Sequence, residues 1–222
     1  MMSLSGAYAD QTTGMLPLED IAVGLSRIPR FGGQTVVRWS VANHLLAGIT
    51  FTEDLYARAN RQPARTRIVP RLFAQEGRAR ALDVGLHDAH EAMTSDVPTT
   101  FKTADLRTLQ AALDVRLYAS LGLPTPDAGA QRFVEMVDRN LLLGEAAIVC
   151  PKATYQRIVQ EVGHGASHAF RVAVEDVLHA DRSADETAEV WSASIYGLLR
   201  SVRYAAAHPF SEIVTSTERD EK

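Results

Sequence analysis

Apolar positions recur at helical spacing along most of the chain, and no stretch alternates in the two-residue rhythm of a half-buried strand. Leu18, Ile21, Ala22 and Leu25 mark a first helix, with Glu19 and Asp20 in its first turn, where the helix dipole favours acids. Residues 28–35 hold Pro29, Gly32 and Gly33 and read as a turn. Residues 40–49 predict a second helix with Ser40 as its N-cap, and a further helix is expected from about Thr52. The basic stretch 61–71, interrupted by Pro63 and Pro70, reads as a solvated loop, whereas residues 79–86 are apolar enough for a buried helix. Pro98 disfavours helix at Val97 and ends the segment that follows. Thr103 or Asp105 then starts an amphipathic helix with Leu106, Leu109, Leu113, Leu117 and Leu121 on one face, and Gly122, Pro124 and Pro126 close it. Asp127 can cap the next helix, whose stripe is Phe133, Val134, Val137, Leu141 and Leu142. Residues 152–163, 166–180 and 184–207 predict three more. The expected fold class is therefore all-α, with a single domain over 18–207 between a loose arm, 1–17, and a polar tail, 208–222.

Composition narrows the partners. At 222 residues, 46% of them hydrophobic and 23% charged, the chain can fill one core. A net charge of −4 provides no basic surface for a long nucleic acid, although a small phosphorylated ligand needs only a few local cations. The single Cys150 excludes an internal disulfide, and neither a membrane-length apolar stretch nor a signal-peptide start is present. A cytoplasmic protein with no membrane partner is expected.

The chemistry concentrates in residues 86–98, where His87, Asp88, His90, Glu91 and Asp96 follow directly on the apolar segment. Polar groups carried into apolar surroundings need partners, and a metal ion is an economical one. On a continuing helix His87 and Asp88 would point about 100° apart, so ligands from other segments must complete any shell. Three other positions stand out. His44 lies among apolar residues, where a lone histidine is more commonly a core residue bonded to backbone. Asp138 sits beside the buried stripe of its helix, with Arg132 and Arg139 on other faces. Arg30 next to Phe31, in the Pro- and Gly-containing turn, pairs a phosphate-binding cation with a stacking ring. His164 and His168, flanked by Gly163 and Gly165, read as solvent-exposed.

Residues 40–44 (Ser-Val-Ala-Asn-His), 87–92 (His-Asp-Ala-His-Glu-Ala) and 95–98 (Ser-Asp-Val-Pro) with Lys102, followed by an Asp inside a later helix, resemble the HD-domain phosphohydrolase superfamily. Within it the pattern is most similar to the 5'-deoxynucleotidase-like branch, which includes phage enzymes that hydrolyse deoxynucleoside triphosphates. The resemblance covers roughly residues 18–145 and implies an HD-type helical bundle, with residues 151–207 as additional helices. It implies His44, His87, Asp88 and Asp138 as ligands of one divalent ion; two imidazoles and two carboxylates suit Co, Mn or Zn, with Mg a further candidate. Asp114 is the fallback for the late Asp, set aside for its charged setting beside Arg116. By the same resemblance Glu91 orients or deprotonates the attacking water, and Asp96 faces the substrate. Arg30 then contacts phosphate, Phe31 is the neighbouring aromatic, and Lys102 is a second phosphate cation.

The implied activity is attack of a metal-activated water on a deoxynucleotide phosphoryl group. The alternatives are a non-catalytic nucleotide-binding regulator and a phosphodiesterase acting on another phosphorylated metabolite. Relatives often carry His where this chain has Gln34 and Gly where it has Ser95, which bears on substrate choice. They also commonly form homo-oligomers, and helices 166–207, poor in site candidates, are the expected interface. His90 is left with a surface or supporting position.

Overall fold

A computed structural model describes residues 16–61 and 69–207. The described residues are all-α: helices and turns, with one isolated antiparallel bridge between Pro29 and Ser40. The helices are α1 (Leu18–Arg27), α2 (Val41–Arg61), α3 (Val69–Leu86), the single turn α4 (Glu91–Thr94), α5 (Ala104–Ser120), α6 (Ala128–Val149), α7 (Lys152–Val162), α8 (His168–His179) and α9 (Ala184–Ala207). Residues 1–15 of the expected arm and the expected tail lie outside the described residues. Leu16 is buried, and the carbonyl of Pro17 accepts the amide of Ile21 to open α1. No helix among the described residues is long and apolar enough to cross a membrane.

The caps follow the sequence. Ser40 Oγ accepts the amide of Asn43 at 3.3 Å, Thr103 that of Leu106 at 3.2 Å, and Asp127 that of Ala130 at 2.7 Å. Between them, α2 and α3 pack along their lengths, with α6 and α9 against α3. The α2–α3–α6 approach requires Gly48, because a Cβ there would lie 2.5 Å from Val84 Cγ1 and 3.2 Å from Leu141 Cδ1. Gly24 has the same function between α1 and α4, where a Cβ would meet that of Ala92 at 3.2 Å.

Three local expectations are corrected. The helix expected over 40–49 and the one from Thr52 are a single element, α2. Polar residues interrupt its stripe in sequence, but Phe51 stacks on Phe170 at 3.9 Å and Thr52 Oγ1 bonds back to the Gly48 carbonyl at 2.8 Å, so packing carries the helix through. Part of the expected loop 61–71 is helical, since α3 begins at Val69 with Pro70 in its first turn, where a missing N–H costs little; residues 62–68 lie outside the described ones.

The third correction concerns His87 and Asp88, which do not continue a helix. Here α3 stops at Leu86, and the amides of Ala89 and Glu91 bond three residues back. His87 Nδ1 takes the Val84 carbonyl at 2.8 Å, the acceptor that a continuing helix would offer to the amide of Asp88. The side chain thereby ends the helix and is itself fixed.

The C-terminal helices pack on the core. Phe170, Ala173, Val174 and Val177 of α8 are buried, with the helix against α2 and α6; Ala188, Trp191, Ile195, Leu198 and Leu199 of α9 are buried, with that helix against α1 and α3. Their apolar faces are therefore used inside the chain, as part of its own core. Trp191 is fully buried, and its Nε1 donates to the Gly85 carbonyl at 3.1 Å, two residues before His87. Replacing Trp191 with Ala should cost about 3–5 kcal/mol in urea unfolding; a loss below about 1 kcal/mol would contradict a core position for α9.

Candidate metal centre

Three segments converge on one point. His44 lies one turn into α2, His87 and Asp88 follow the end of α3, and Asp138 projects from the middle of α6. His44 Nε2 is 3.4 Å from His87 Nε2, 3.7 Å from Asp88 Oδ2 and 3.3 Å from Asp138 Oδ1. His87 Nε2 is 3.3 Å from Asp88 Oδ2 and 3.8 Å from Asp138 Oδ1. Ligands about 2.05 Å from a tetrahedral ion stand about 3.3–3.4 Å apart, so these edges already lie near coordination geometry.

The hydrogen bonds behind the histidines decide which atoms face inward. His44 Nδ1 donates to Glu145 Oε1 at 2.7 Å, and His87 Nδ1 donates to the Val84 carbonyl at 2.8 Å. Each bond places the ring proton on Nδ1 and turns a bare Nε2 lone pair towards the other. Two lone pairs and two carboxylate oxygens thus share a mostly buried site, and His44 is fully buried. Together they form a group that can hold a metal ion.

Burial pushes the imidazoles towards neutrality, but Asp88 and Asp138 more than offset this for His87 and hold its pKa well above the ordinary value. His44 is also raised, burial and Arg30 being outweighed by Glu145 and Asp138. Conversely, against the upward push of burial, the histidines hold Asp88 and Asp138 below the usual carboxylate range.

Glu145 is the residue that sequence reading missed. Fully buried, it accepts from Trp39 Nε1 at 2.9 Å as well as from His44, and its Oε2 lies 3.3 Å from Arg30 Nη2. Its signal in the sequence was an acid inside the apolar run 141–149, two helical turns after Asp138 and so on the same face. Its partners are more than 100 residues away in the chain, so the run alone did not distinguish it.

The remaining expected residues line a cleft of about 340 Å³ beside the group, reached by Arg30, Phe31, Asp88, Glu91, Asp96, Lys102 and Asp138. Arg30 enters it from a loop closed by Arg30 N–H to the Trp39 carbonyl and Val41 N–H to the Ile28 carbonyl, each at 3.0 Å. Its Nη1 lies 3.4 Å from Asp88 Oδ2, so the guanidinium bridges Asp88 and Glu145 and covers the Phe31 ring at 5.9 Å. Phe31 adopts φ 55, a left-handed conformation that costs a non-glycine residue about 1–2 kcal/mol. Ser95 adopts φ 64, a conformation that glycine enters at no steric cost and other residues rarely adopt.

Lys102 Nζ stands 3.5 Å from Glu91 Oε1. Burial, then the charges of Asp88 and Asp96, push the Glu91 carboxyl up to about 8 despite Arg30 and Lys102. Asp114, the fallback ligand, is not in the group; it bonds His90 Nδ1 at 2.8 Å. His164 and His168 are exposed.

No protein-family model matches the chain, and no curated protein matches it.

Two outcomes are expected. Glu145→Gln should weaken divalent-ion binding about 10–100-fold, read by competition with a chromogenic chelator; unchanged affinity would refute its orienting role. Because the folded pKa of His87 is raised, its stabilising proton is fully bound below about 6.5 and is lost as pH rises through the folded value. Metal-free protein should therefore melt lower as pH rises above neutrality, while added metal should reverse the loss. A metal-free melting temperature that climbs over that range would contradict the arrangement.

Proposed function

We propose that the protein is a metal-dependent phosphohydrolase acting on deoxynucleotides, as the HD-domain resemblance of its motifs implies. The observation that carries this reading is the placing of Arg30 and Lys102 in one cleft with Asp88, Asp138 and Glu91. A phosphate ester bound there meets two cations and the His/Asp group together. A second cleft, of about 390 Å³, is lined by His87 with Asp83, Asp114 and Glu135 and by no lysine or arginine, so it offers a phosphate no cation.

A divalent ion held by His44, His87, Asp88 and Asp138 supplies charge neutralisation at a phosphoryl oxygen and a water of lowered pKa. The borderline donor set favours Mn²⁺, Co²⁺ or Zn²⁺. Lys102 offers a point charge to the phosphate, and Arg30 offers N–H groups fixed by Glu145. Glu91, whose raised carboxyl ionises above neutrality, would then accept the proton of the attacking water, with Asp96 at the rim beside the sugar. Phe31, next to the phosphate cation, presents a ring on which a base can stack.

Purified protein with Mn²⁺ or Co²⁺ should release inorganic phosphate from a deoxynucleoside monophosphate or triphosphate from a deoxynucleoside triphosphate, and chromatography of the products separates the two. Glu91→Gln should lower kcat about 10²–10⁴-fold. Lys102→Ala should act mainly on KM. Failure to turn over any nucleotide, with binding that survives Glu91→Ala, would replace the enzyme with a nucleotide-binding regulator.

A further inference from the structure

We propose that His90 and Glu91 hold one buried water between them and that, on the hydrolase reading, this water is the nucleophile. His90 is 7% exposed and Glu91 2%. His90 Nε2 and Glu91 Oε2 are both buried, and neither has a hydrogen-bond partner among the described residues. A ring nitrogen of His90, a carboxylate oxygen of Glu91 and one of Asp88 nevertheless lie within 4.8 Å of one another. Two acceptors, each about 2.8 Å from a tetrahedral water oxygen, stand about 4.6 Å apart, so one water spans a gap that a direct hydrogen bond does not.

The neighbours of each side chain set which acceptor is left for the water. Asp114 Oδ1 takes His90 Nδ1–H at 2.8 Å, so Nε2 carries a bare lone pair. Lys102 Nζ lies 3.5 Å from Glu91 Oε1 and leaves Oε2 without a partner. Buried acceptors without donors are costly, and a water carries two O–H donors, one for each. It also accepts, so a protonated Glu91 keeps the bridge by donating to it. With both protons held, the water has its lone pairs for phosphorus. Its oxygen forms the new bond to phosphorus, one proton passes to Glu91, and the bond from phosphorus to the leaving oxygen breaks with its electron pair, solvent protonating that oxygen. Asp114 on α5 is then a positioning residue, acting through the tautomer of His90.

The test pairs crystallography of the full chain with steady-state kinetics in Mn²⁺, folding of each variant being followed by circular dichroism. Electron density should show an ordered water about 3 Å from both His90 Nε2 and Glu91 Oε2. No water there, or a direct bond between the two side chains, would overturn the proposal. His90→Leu should lower kcat about 10–100-fold with little change in KM, and His90→Gln, which restores an acceptor, should recover much of the loss. Asp114→Asn, whose amide donates to Nδ1 and so moves the ring proton to Nε2, should lower kcat as well. Unchanged kcat in whichever of His90→Leu and Asp114→Asn is folded would overturn the nucleophile's place. A wild type that shows the water but turns over no nucleotide would sink the hydrolase reading and leave the water site standing.

Discussion

Four electron-pair donors from three segments are held facing one another, and most of the surrounding structure exists to stop them turning away. His44 is locked by Glu145 and His87 by the Val84 carbonyl, so neither ring can relieve the crowding by exchanging nitrogens. The backbones behind them approach closely because Gly48 adds no side chain between α2, α3 and α6. Positive charge relieves such a site, whether it comes as protons on the histidines or as a metal ion.

The other charges are ordered around that demand. Arg30 spans Asp88 and Glu145, connecting a donor to the residue that orients another donor, and Trp39 from the same loop fills the remaining valence of Glu145. Removing one member of a buried set like this leaves an uncompensated charge, so the loop is bound to the centre as firmly as the helices are. Arg30 and Lys102 enter the cleft beside the group together with Asp88, Glu91, Asp96 and Asp138, so cations and acids face each other there. Backbone strain at Phe31 and Ser95 falls on the rim of that cleft, where chain direction matters more than local comfort.

The outer helices anchor the turn that carries most of the chemistry. From α9, Trp191 holds the Gly85 carbonyl; from α5, Asp114 holds His90 and Gln110 Nε2 donates to Thr94 Oγ1 at 3.1 Å. Residues 85–94 are therefore fixed from both flanks, and this explains how a short turn rather than a helix can keep several charged side chains in register.

Much of this was written locally. Helical periodicity gave the all-α class, Thr103 and Asp127 marked helix starts by their own side chains, and the order of His44, His87-Asp88, Glu91 and Asp138 named the residues that the fold brings together. Periodicity and caps act over a turn or two, so sequence spacing carries them, whereas the site set was implied only by the resemblance. Tertiary structure alone decided the rest. That α2 runs unbroken depends on Phe51 meeting Phe170; that α9 belongs to the core depends on Trp191 reaching Gly85; and Glu145 matters only because Arg30, Trp39 and His44 arrive from distant parts of the chain. A buried charge is defined by its partners, and partners separated by more than 100 residues leave no periodic trace in the sequence.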